Sequence, residues 1–310
     1  MNFLILLSSL FINYFFTRIY ISKLGHFFIS WPNDRSSHLN PTTNGGGICF
    51  AIVSSLYSFL LGNNILLLCL PLSIIGFIDD FRNLKPLIRY IFQLLTVLSL
   101  ILISGWLNFL FAKFSSLWMI FLVTLILIII STAIINFVNF MDGVDGLVAI
   151  CMSIIFLTVS LSGELTYLPI LGSLIGFLIL NWKPAKVFMG DSGSTFLGAL
   201  YLSIIFKSDT YIESLKYFLL ITPLIADTVS TLLRRIFAKQ NIFAAHKKHL
   251  YQRLFQAGLS HEKVSLIYAG MTLSMCLIYV LADLNALVFM AMILLSLGFW
   301  LDKNVAYSFD

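Results

Sequence analysis

Charge is the first thing that this sequence lacks. Only 11% of its 310 residues are charged, whereas 59% are hydrophobic. A soluble fold of this length needs more polar surface than that, so a soluble globular protein is excluded. No segment is long and polar enough to form a basic surface for nucleic acid, which is therefore not an expected partner.

Cysteine is scarce as well, and the few cysteines stand far apart. Each lies inside an apolar stretch, and none has metal-type spacing. They are Cys49, Cys69, Cys151 and Cys276. We interpret them as small buried hydrophobic residues, which leaves neither a disulfide framework nor a cysteine metal site.

Apolar blocks are what the sequence has in abundance. About 20 apolar residues cross a hydrocarbon core of roughly 30 Å as a helix, which satisfies its own backbone hydrogen bonds in lipid. We identify eleven blocks, some short enough to be tilted, broken or interfacial. They cover residues 2–21, 46–62, 64–78, 87–104, 117–138, 147–161, 167–181, 194–206, 215–233, 264–282 and 285–301. The sequence therefore predicts an all-α polytopic membrane protein, a bundle of about 10–11 transmembrane helices forming one domain over residues 1–310.

The basic residues predict the orientation of this bundle. The first block has no basic residue before Arg18 and no cleavage pattern after it, so we expect a retained helix rather than a removed signal peptide. If the chain changes sides at each block, 16 of the 19 Lys and Arg residues fall in one set of loops. The positive-inside rule places those loops in the cytoplasm, and the net charge of +5 reflects this topology.

The same inward loops collect the carboxylates. Asp79 and Asp80 end the third block, where like charges and the helix C-terminus both disfavour anions. A solvated helix end is the simple interpretation; otherwise a cation such as Arg82 or a metal ion is needed nearby. Asp142 and Asp145 form two Asp-Gly pairs, which suit plain turns but are costly at a membrane face, where acids are usually functional.

Four further polar residues are candidates for a functional site. Asp191 lies in a glycine-containing turn before a helix, where backbone N–H groups can approach an oxyanion, although a helix cap by Ser192 would look similar. His246 and His249, three residues apart, would share one face if they lay on a helix. A solvated basic surface is the simple interpretation, but the pair suits phosphate oxygens better than Zn²⁺, since no third soft ligand lies close. Asp227 lies inside an apolar block and needs a buried partner.

Five carboxylates from three loops thus meet basic loops on one side of the membrane. Such an excess of acid suggests Mg²⁺, with Mn²⁺ as the alternative, because Mg²⁺ binds one or two carboxylates together with substrate phosphates. The basic side chains suit the remaining phosphate charge. The economical reaction is phosphoryl transfer from a cytoplasmic nucleotide donor to a lipid acceptor in the bilayer.

Four motifs, in order along the chain, carry a family resemblance. The sequence resembles the polyprenyl-phosphate N-acetylhexosamine-1-phosphate transferases of glycosyltransferase family 4, relatives of the phospho-N-acetylmuramoyl-pentapeptide transferase of peptidoglycan synthesis. The resemblance extends from Pro32 to Arg253 and covers every inward loop. The motifs are Asp79-Asp80-Phe81-Arg82-Asn83, Asn139-Phe140-Met141-Asp142-Gly143-Val144-Asp145-Gly146, Phe188-Met189-Gly190-Asp191-Ser192-Gly193-Ser194 and His246-Lys247-Lys248-His249.

This resemblance implies transfer of a sugar 1-phosphate from a UDP-sugar to undecaprenyl phosphate, with release of UMP. By analogy Asp191 holds Mg²⁺ together with Asp80, and Asp79 deprotonates or orients the lipid phosphate with support from Asp80. Direct attack and a carboxyl-bound intermediate are both left open. The implied location is the bacterial cytoplasmic membrane, with the active site facing the cytoplasm, and a homodimer is an option among the partners.

The resemblance also implies the binding residues. Residues of the second motif would form the donor site. One of them, together with one residue of the third motif, would lie near the uracil of the donor. Basic residues would grip the diphosphate or the sugar. In this sequence the donor site is Asn139, Asp142 and Asp145, the uracil neighbours are Asp145 and Phe188, and the gripping residues are His246, His249 and Arg253.

Departures from the family pattern limit which branch of the family this chain resembles. Where the family often has Pro-Thr-Pro-Arg, this chain has Pro41-Thr42-Thr43-Asn44, so one phosphate cation is missing after the polar stretch 32–38. Two lysines separate the histidines, whereas the peptidoglycan branch has a histidine triplet. We therefore favour the branch that starts O-antigen or another surface polysaccharide. The loop Lys239 to Lys263 would select the sugar, and GlcNAc, GalNAc and a 6-deoxy amino sugar stay open.

Other protein classes are alternatives. The peptidoglycan phospho-MurNAc-pentapeptide transferase is one. A transporter would emphasise Asp227, because transport sites usually lie near the midplane. A non-catalytic assembly partner would make the acids dispensable.

Overall fold

The computed structural model describes residues 2–32, 40–208, 210–242, 244 and 246–309. Residues 33–39, which contain most of the polar stretch noted above, lie outside the described residues. Within them the chain forms α-helices and one short two-stranded sheet. The helices are α1 (Asn2–Lys23), α2 (Gly47–Leu60), α3 (Ile65–Arg82), α4 (Pro86–Ile103), α5 (Trp106–Lys113), α6 (Leu117–Phe140), α7 (Leu147–Leu161), α8 (Leu168–Asn181), α9 (Gly190–Lys207), α10 (Tyr211–Leu220), α11 (Thr222–Phe237), α12 (Leu250–Gln256), α13 (His261–Leu281) and α14 (Leu284–Asn304).

The small sheet pairs β1 (Ile29–Ser30) with β2 (Thr42–Thr43) in antiparallel register. A single parallel bridge joins Thr43 to Val187, so the segment before α2 is tied to the segment before α9. Two 3₁₀ helices, Gly25–Phe27 and Leu165–Tyr167, precede the sheet and α8 respectively.

Five of the helices are long and apolar enough to cross a membrane: α1, α4, α6, α13 and α14. Their outward faces carry large exposed apolar side chains, for example Trp118 at 80% and Phe299 at 64% exposure. Such faces suit lipid rather than water. The prediction of an all-α polytopic membrane protein is confirmed. The apolar helices α2, α7 and α8 are shorter, so their role as full spans stays a prediction.

The ninth apolar block is broken, whereas we expected breaks among the shorter blocks. Residues 215–233 belong to two helices, α10 and α11, whose axes differ by 72°. Pro223 lies in the first turn of α11. Proline suits that place because the first N–H groups of a helix need no partner within the helix, whereas in mid-helix it would break a hydrogen bond.

Helix α9 lies at the centre of the bundle and is buried along most of its length. It packs against α2, α3, α4, α6 and α10. Where α2 crosses α9, a Cβ added to Gly47 would lie 2.2 Å from the Cα of Gly193. Any larger residue at this crossing would push the two backbones apart.

The direction of the helices gathers the polar motifs at one face. Helices α3, α6 and α8 end at the face where α4, α7 and α9 begin, because each pair is joined by a short loop or turn. All four sequence motifs occur at these ends or in the segment before α12. The fold thereby places chemistry from distant parts of the sequence next to one another.

Candidate active site

One arginine links two of the predicted acids. Nη1 of Arg89 donates to Oδ2 of Asp79 at 2.8 Å and to Oδ2 of Asp191 at 2.9 Å. Nδ2 of Asn139 donates to the other oxygen of Asp191, also at 2.9 Å. Helices α3, α4, α6 and α9 therefore meet at one polar cluster. The Leu84 N–H donates to Asp79 at 2.6 Å and holds that side chain at the end of α3.

Asp80 binds the first turn of α9. Its Oδ1 accepts from the N–H of Asp191 at 2.9 Å and from Nδ2 of Asn44 at 3.3 Å, and its Oδ2 accepts from the N–H of Ser192 at 3.2 Å. An anion is favourable there because the first N–H groups of a helix are otherwise unpaired. Gly190 has φ +69°, and a Cβ on it would lie 2.3 Å from Oδ2 of Asp80. Glycine is therefore required at this approach.

Asp142 and Asp145 share one loop but have opposite surroundings. Burial would raise the pKa of Asp145, but the hydrogen bond and charge of His261, together with Lys183, hold that pKa below its usual range. Nδ1 of His261 lies 3.0 Å and Nζ of Lys183 lies 3.6 Å from the Asp145 carboxylate. Burial and the charge of Asp191 raise the pKa of Asp142 to about 7. The loop thus holds one firmly ionised acid and one acid that changes charge near neutral pH.

A central cavity of about 280 Å³ brings the predicted site residues together. Its walls combine acids, amides and the aromatic ring of Phe188, and Asp145 and Phe188, the predicted uracil neighbours, line the same space. The predicted residues that line it are Asp80, Asn139, Asp142, Asp145, Phe188 and Asp191.

A second, lateral cavity of about 380 Å³ adjoins the first. Its cations and possible cations are Arg89, His246 and His249, and it shares Asn139 and Gln252 with the central cavity. Burial, with the positive charges around it, lowers the pKa of His246 to about 4, so this imidazole is neutral at neutral pH. Exposed apolar residues of α4 and α6, among them Tyr90 and Phe140, border the cavity on its outer side.

Two predicted site residues lie away from these cavities. Asp79 lies behind Arg89 and reaches the lateral cavity only through that side chain. Arg253 faces the C-terminal segment: it pairs with Asp302, and its Nη1 donates to the Tyr307 carbonyl at 2.8 Å. The roles that the resemblance implies for both residues stay predictions, and the geometry favours a positioning role for each.

Motif inspection missed several cavity residues. Arg89 is one of the basic residues of the inward loops, and no motif singles it out. Its place one turn after Pro86, close to the acids Asp79 and Asp80, is a usable signal. Gln252 and His261 line the central cavity from α12 and α13. They belong to segments far along the chain, and nothing in their local sequence indicates that the bundle brings them to Asp145.

The residues present fit a divalent cation. Among the described residues, no three His, Cys, Asp or Glu side chains are grouped closely enough to form a complete metal site. Mg²⁺ needs no such group, since it is usually held by one or two carboxylates with water and substrate phosphates. The charge of Asp191 adds to burial in raising the pKa of Asp142, so these two acids form an excess of negative charge in the cavity. A cation shared by Asp191 and a neighbouring acid would remove that excess.

Comparisons with known proteins agree with the resemblance. The family model of glycosyl transferase family 4 matches residues 63–209. This range includes the first three motifs and Arg89, and it ends before the histidine motif.

Three relatives illustrate the similarity. A probable undecaprenyl-phosphate N-acetylglucosaminyl 1-phosphate transferase of Bacillus subtilis is 40% identical over 104 residues, 32% of this chain and 29% of that protein. A decaprenyl-phosphate N-acetylglucosaminephosphotransferase of Mycobacterium tuberculosis is 32% identical over 142 residues, 39% and 35% of the two chains. A phospho-N-acetylmuramoyl-pentapeptide-transferase of Carboxydothermus hydrogenoformans is 35% identical over 116 residues, 36% and 34%. The aligned regions thus span about a third of each relative.

Proposed function

We propose that this chain, which the model of glycosyl transferase family 4 matches over residues 63–209, transfers a sugar 1-phosphate from a nucleotide-activated sugar to a polyprenyl phosphate. The donor in this proposal is a UDP-sugar, the acceptor is undecaprenyl phosphate, and the product is a diphosphate-linked lipid with UMP released. An acceptor-phosphate oxygen attacks the phosphorus that bears the sugar, and the bond from that phosphorus to the oxygen retained by UMP breaks.

The observation that carries this proposal is the junction of two unlike cavities. The central cavity is acidic and has an aromatic wall, whereas the lateral cavity has Arg89 and two histidines and is bordered by exposed apolar side chains. A water-soluble nucleotide fits the first, and a lipid with an anionic head fits the second. Asn139 lines both cavities. In the proposed reaction, the phosphates of the two substrates therefore meet beside this residue.

The donor is proposed to lie with its base near Phe188 and Asp145. Aromatic stacking and a hydrogen bond to a firmly ionised carboxylate are common means of holding a base. The low pKa of Asp145 keeps it an acceptor throughout the physiological pH range. The sugar and diphosphate then extend toward Asn139 and Asp191.

The acceptor phosphate is proposed to meet Arg89. This guanidinium lies between Asp79 and Asp191 and is 38% exposed at its side chain, so it can still donate to an incoming oxygen. Planar, forked donors suit phosphate well. In this arrangement Asp79 orients Arg89.

Mg²⁺ is proposed as the resident ion, held by Asp191 with Asp80 or Asp142. When bound, it neutralises diphosphate charge and favours departure of the UMP oxygen. Asp80 is the second ligand that the resemblance implies. The oxygens of Asp80 already accept hydrogen bonds from three N–H groups, so Asp142 is the better candidate for the second ligand. Asp80 itself holds the first turn of α9, and thereby Asp191, in place.

The biological role proposed is the first membrane step of O-antigen or another surface polysaccharide, at the cytoplasmic face of the inner membrane. It rests on the positive-inside pattern and on the separated histidines of the fourth motif. Among the three relatives described above, the protein of Carboxydothermus hydrogenoformans is named a phospho-N-acetylmuramoyl-pentapeptide-transferase, so the peptidoglycan branch is the alternative.

The test is UMP release by the purified protein. Protein in nanodiscs would be supplied with Mg²⁺, undecaprenyl phosphate and a panel of UDP-linked GlcNAc, GalNAc, 6-deoxy amino sugars and MurNAc-pentapeptide. We expect UMP from one donor, dependence on the lipid, and loss of turnover with a chelator. If no donor yields UMP while the protein stays folded, the proposal fails. Turnover with MurNAc-pentapeptide alone would move the chain to the peptidoglycan branch.

A further inference from the structure

A buried carboxylate in α11 holds the segment that carries the second histidine. Asp227 is 4% exposed. Its Oδ1 accepts from the N–H of Leu250 at 2.7 Å, and its Oδ2 accepts from the N–H of Tyr251 at 3.0 Å and from the Tyr268 hydroxyl at 2.6 Å. These donors belong to α12 and α13, so a single side chain joins three helices.

The buried position of Asp227 inside an apolar helix is energetically unfavourable by itself. A carboxylate inside an apolar helix pays a large desolvation cost, which only well-placed donors offset. Asp227 lies between two spaces. The lateral cavity lies beyond His249, and an apolar cavity of about 230 Å³ lies between α11, α13 and α14. With both oxygens already bound to N–H and O–H donors, Asp227 is poorly suited to exchange a transported ion, which weakens the transporter alternative.

His249 is the residue next to these contacts. It immediately precedes Leu250, and its Nδ1 lies 3.5 Å from Oδ1 of Asp227. The imidazole is only 3% exposed, yet it forms part of the lateral cavity wall together with Arg89. Asp227 therefore holds the backbone that directly follows His249, and its Oδ1 lies beside Nδ1 of the ring.

We infer that Asp227 is a positioning residue that aims His249 into the lateral cavity, where the imidazole meets a substrate phosphate. The inference rests on the proposed function. It adds Asp227 to the site, although Asp227 lies 23 positions before Leu250, the residue that directly follows the histidine motif. The shared chemistry is that of a phosphate oxygen. It belongs either to the lipid acceptor or to the donor diphosphate, and the kinetics below distinguish the two.

The experiment is a double-mutant cycle on UMP release. We expect Asp227→Asn to lower kcat/KM by roughly 10- to 100-fold, the size seen when a supporting hydrogen-bond partner is lost. His249→Ala should lower it by at least as much and raise KM for one of the two substrates. Asp227→Asn should raise KM for that same substrate. In the double variant, kcat/KM should lie within about twofold of His249→Ala alone, because the carboxylate acts through the ring.

A matched control lies one residue along the same helix. Thr228 is fully buried, and its hydroxyl donates to the Leu224 carbonyl within α11. Thr228→Val should leave both KM values and kcat near those of the parent protein. Tyr268→Phe, which removes one donor to Asp227, should raise KM for the same substrate as Asp227→Asn does, but by a smaller factor.

Hydrogen exchange supplies a readout that does not need turnover. Asp227→Asn should increase amide exchange in residues 246–256, which end with α12, while α13 stays protected. Additive losses in the cycle, a KM change in the other substrate, or unchanged exchange in this segment would each overturn the inference. If the parent protein releases no UMP, the proposed function fails by itself. Local exchange would then still show whether Asp227 holds the segment, but a role in transfer would be rejected.

Discussion

The two sides of the candidate site are built in different ways. The acidic side, Asp80, Asp142 and Asp191, belongs to α3, α9 and the turn before α7, where helix ends are packed through glycines. The histidine side, His246 and His249, lies on the segment between α11 and α12 and is held by Asp227. On the first side the backbone fixes the functional groups. On the second side another side chain does so.

This difference indicates where substitutions should act. A change on the acidic side alters the charge that the reaction uses, whereas a change behind the histidine side alters where a group points. The predictions below test that division, from the largest expected effect to the smallest.

Asp191→Asn should have the largest effect. Asp191 bonds to both Arg89 and Asn139 and is the proposed ligand of Mg²⁺. Loss of its charge should lower kcat for UMP release by at least about 10²-fold, as expected for a group that acts electrostatically in the transition state. Ser194→Ala, on the next turn of α9 and outside both cavities, should keep its activity. Turnover retained by Asp191→Asn with a normal melting curve would remove this residue from the mechanism.

Arg89→Gln should come next, with a loss of roughly 10- to 100-fold in kcat/KM, about the size of one or two lost charge-assisted hydrogen bonds. The change leaves Asp79 and Asp191 without their shared cation and removes the proposed donor to the lipid phosphate. Arg89→Lys should recover only part of the loss, because an ammonium cannot reproduce the planar fork. Steady-state kinetics with varied undecaprenyl phosphate would measure it, and an unchanged KM for the lipid would place the acceptor elsewhere.

The two acids of one loop should differ in how pH affects stability. With a folded pKa of about 7 for Asp142, the folded state keeps its proton up to neutral pH. Stability from this group is therefore full below the unfolded pKa near 4 and is lost as pH rises through about 7. In metal-free protein, Asp142→Asn should be close to the parent in thermal stability at pH 4 and exceed it at pH 8.

Asp145→Asn is the matched comparison in the same loop. The lowered pKa of Asp145 adds stability that is present above the unfolded pKa and is lost as pH falls through the folded pKa. This variant should therefore be less stable than the parent at pH 8, the opposite of Asp142→Asn. Thermal unfolding of the three proteins at both pH values would measure the contrast, and shifts of equal sign would contradict it.

Arg253→Lys should have the smallest effect on activity, within about threefold, because a KM change needs contact with substrate. Arg253 pairs with Asp302 and the Tyr307 carbonyl, and its guanidinium lies 5.3 Å from the Phe309 ring centre. The loss of these guanidinium contacts should instead lower the melting temperature, by about 2–4 °C for each kcal/mol of lost stability. A tenfold rise in KM for the UDP-sugar would instead support the gripping role that the resemblance implies.

The helices were the most predictable part of this protein. Apolar blocks of sufficient length follow from the thickness of a bilayer, and each block corresponds to a helix or, at residues 215–233, to a bent pair. The short helix α5 was not predicted, because eight residues after Gly105 make too short a block.

The acidic side was predictable for a similar reason. Acids at the ends of apolar blocks stand out, and alternation of the helices sends Asp80, Asp142 and Asp191 to one face. The direction of Arg253 and the partner of Asp227 were not predictable. They depend on how α11 bends and on which helices then pack against it, and no local pattern encodes those long-range contacts.

The lateral cavity has a consequence for the hydrocarbon tail of the acceptor. Its volume of about 380 Å³ holds a phosphate and the first few carbons of a chain, and the apolar residues at its border lead sideways out of the bundle. In the proposed reaction, most of the isoprenoid therefore lies outside this cavity. Turnover should then depend on the isoprene units nearest the phosphate and hardly at all on how many units follow them.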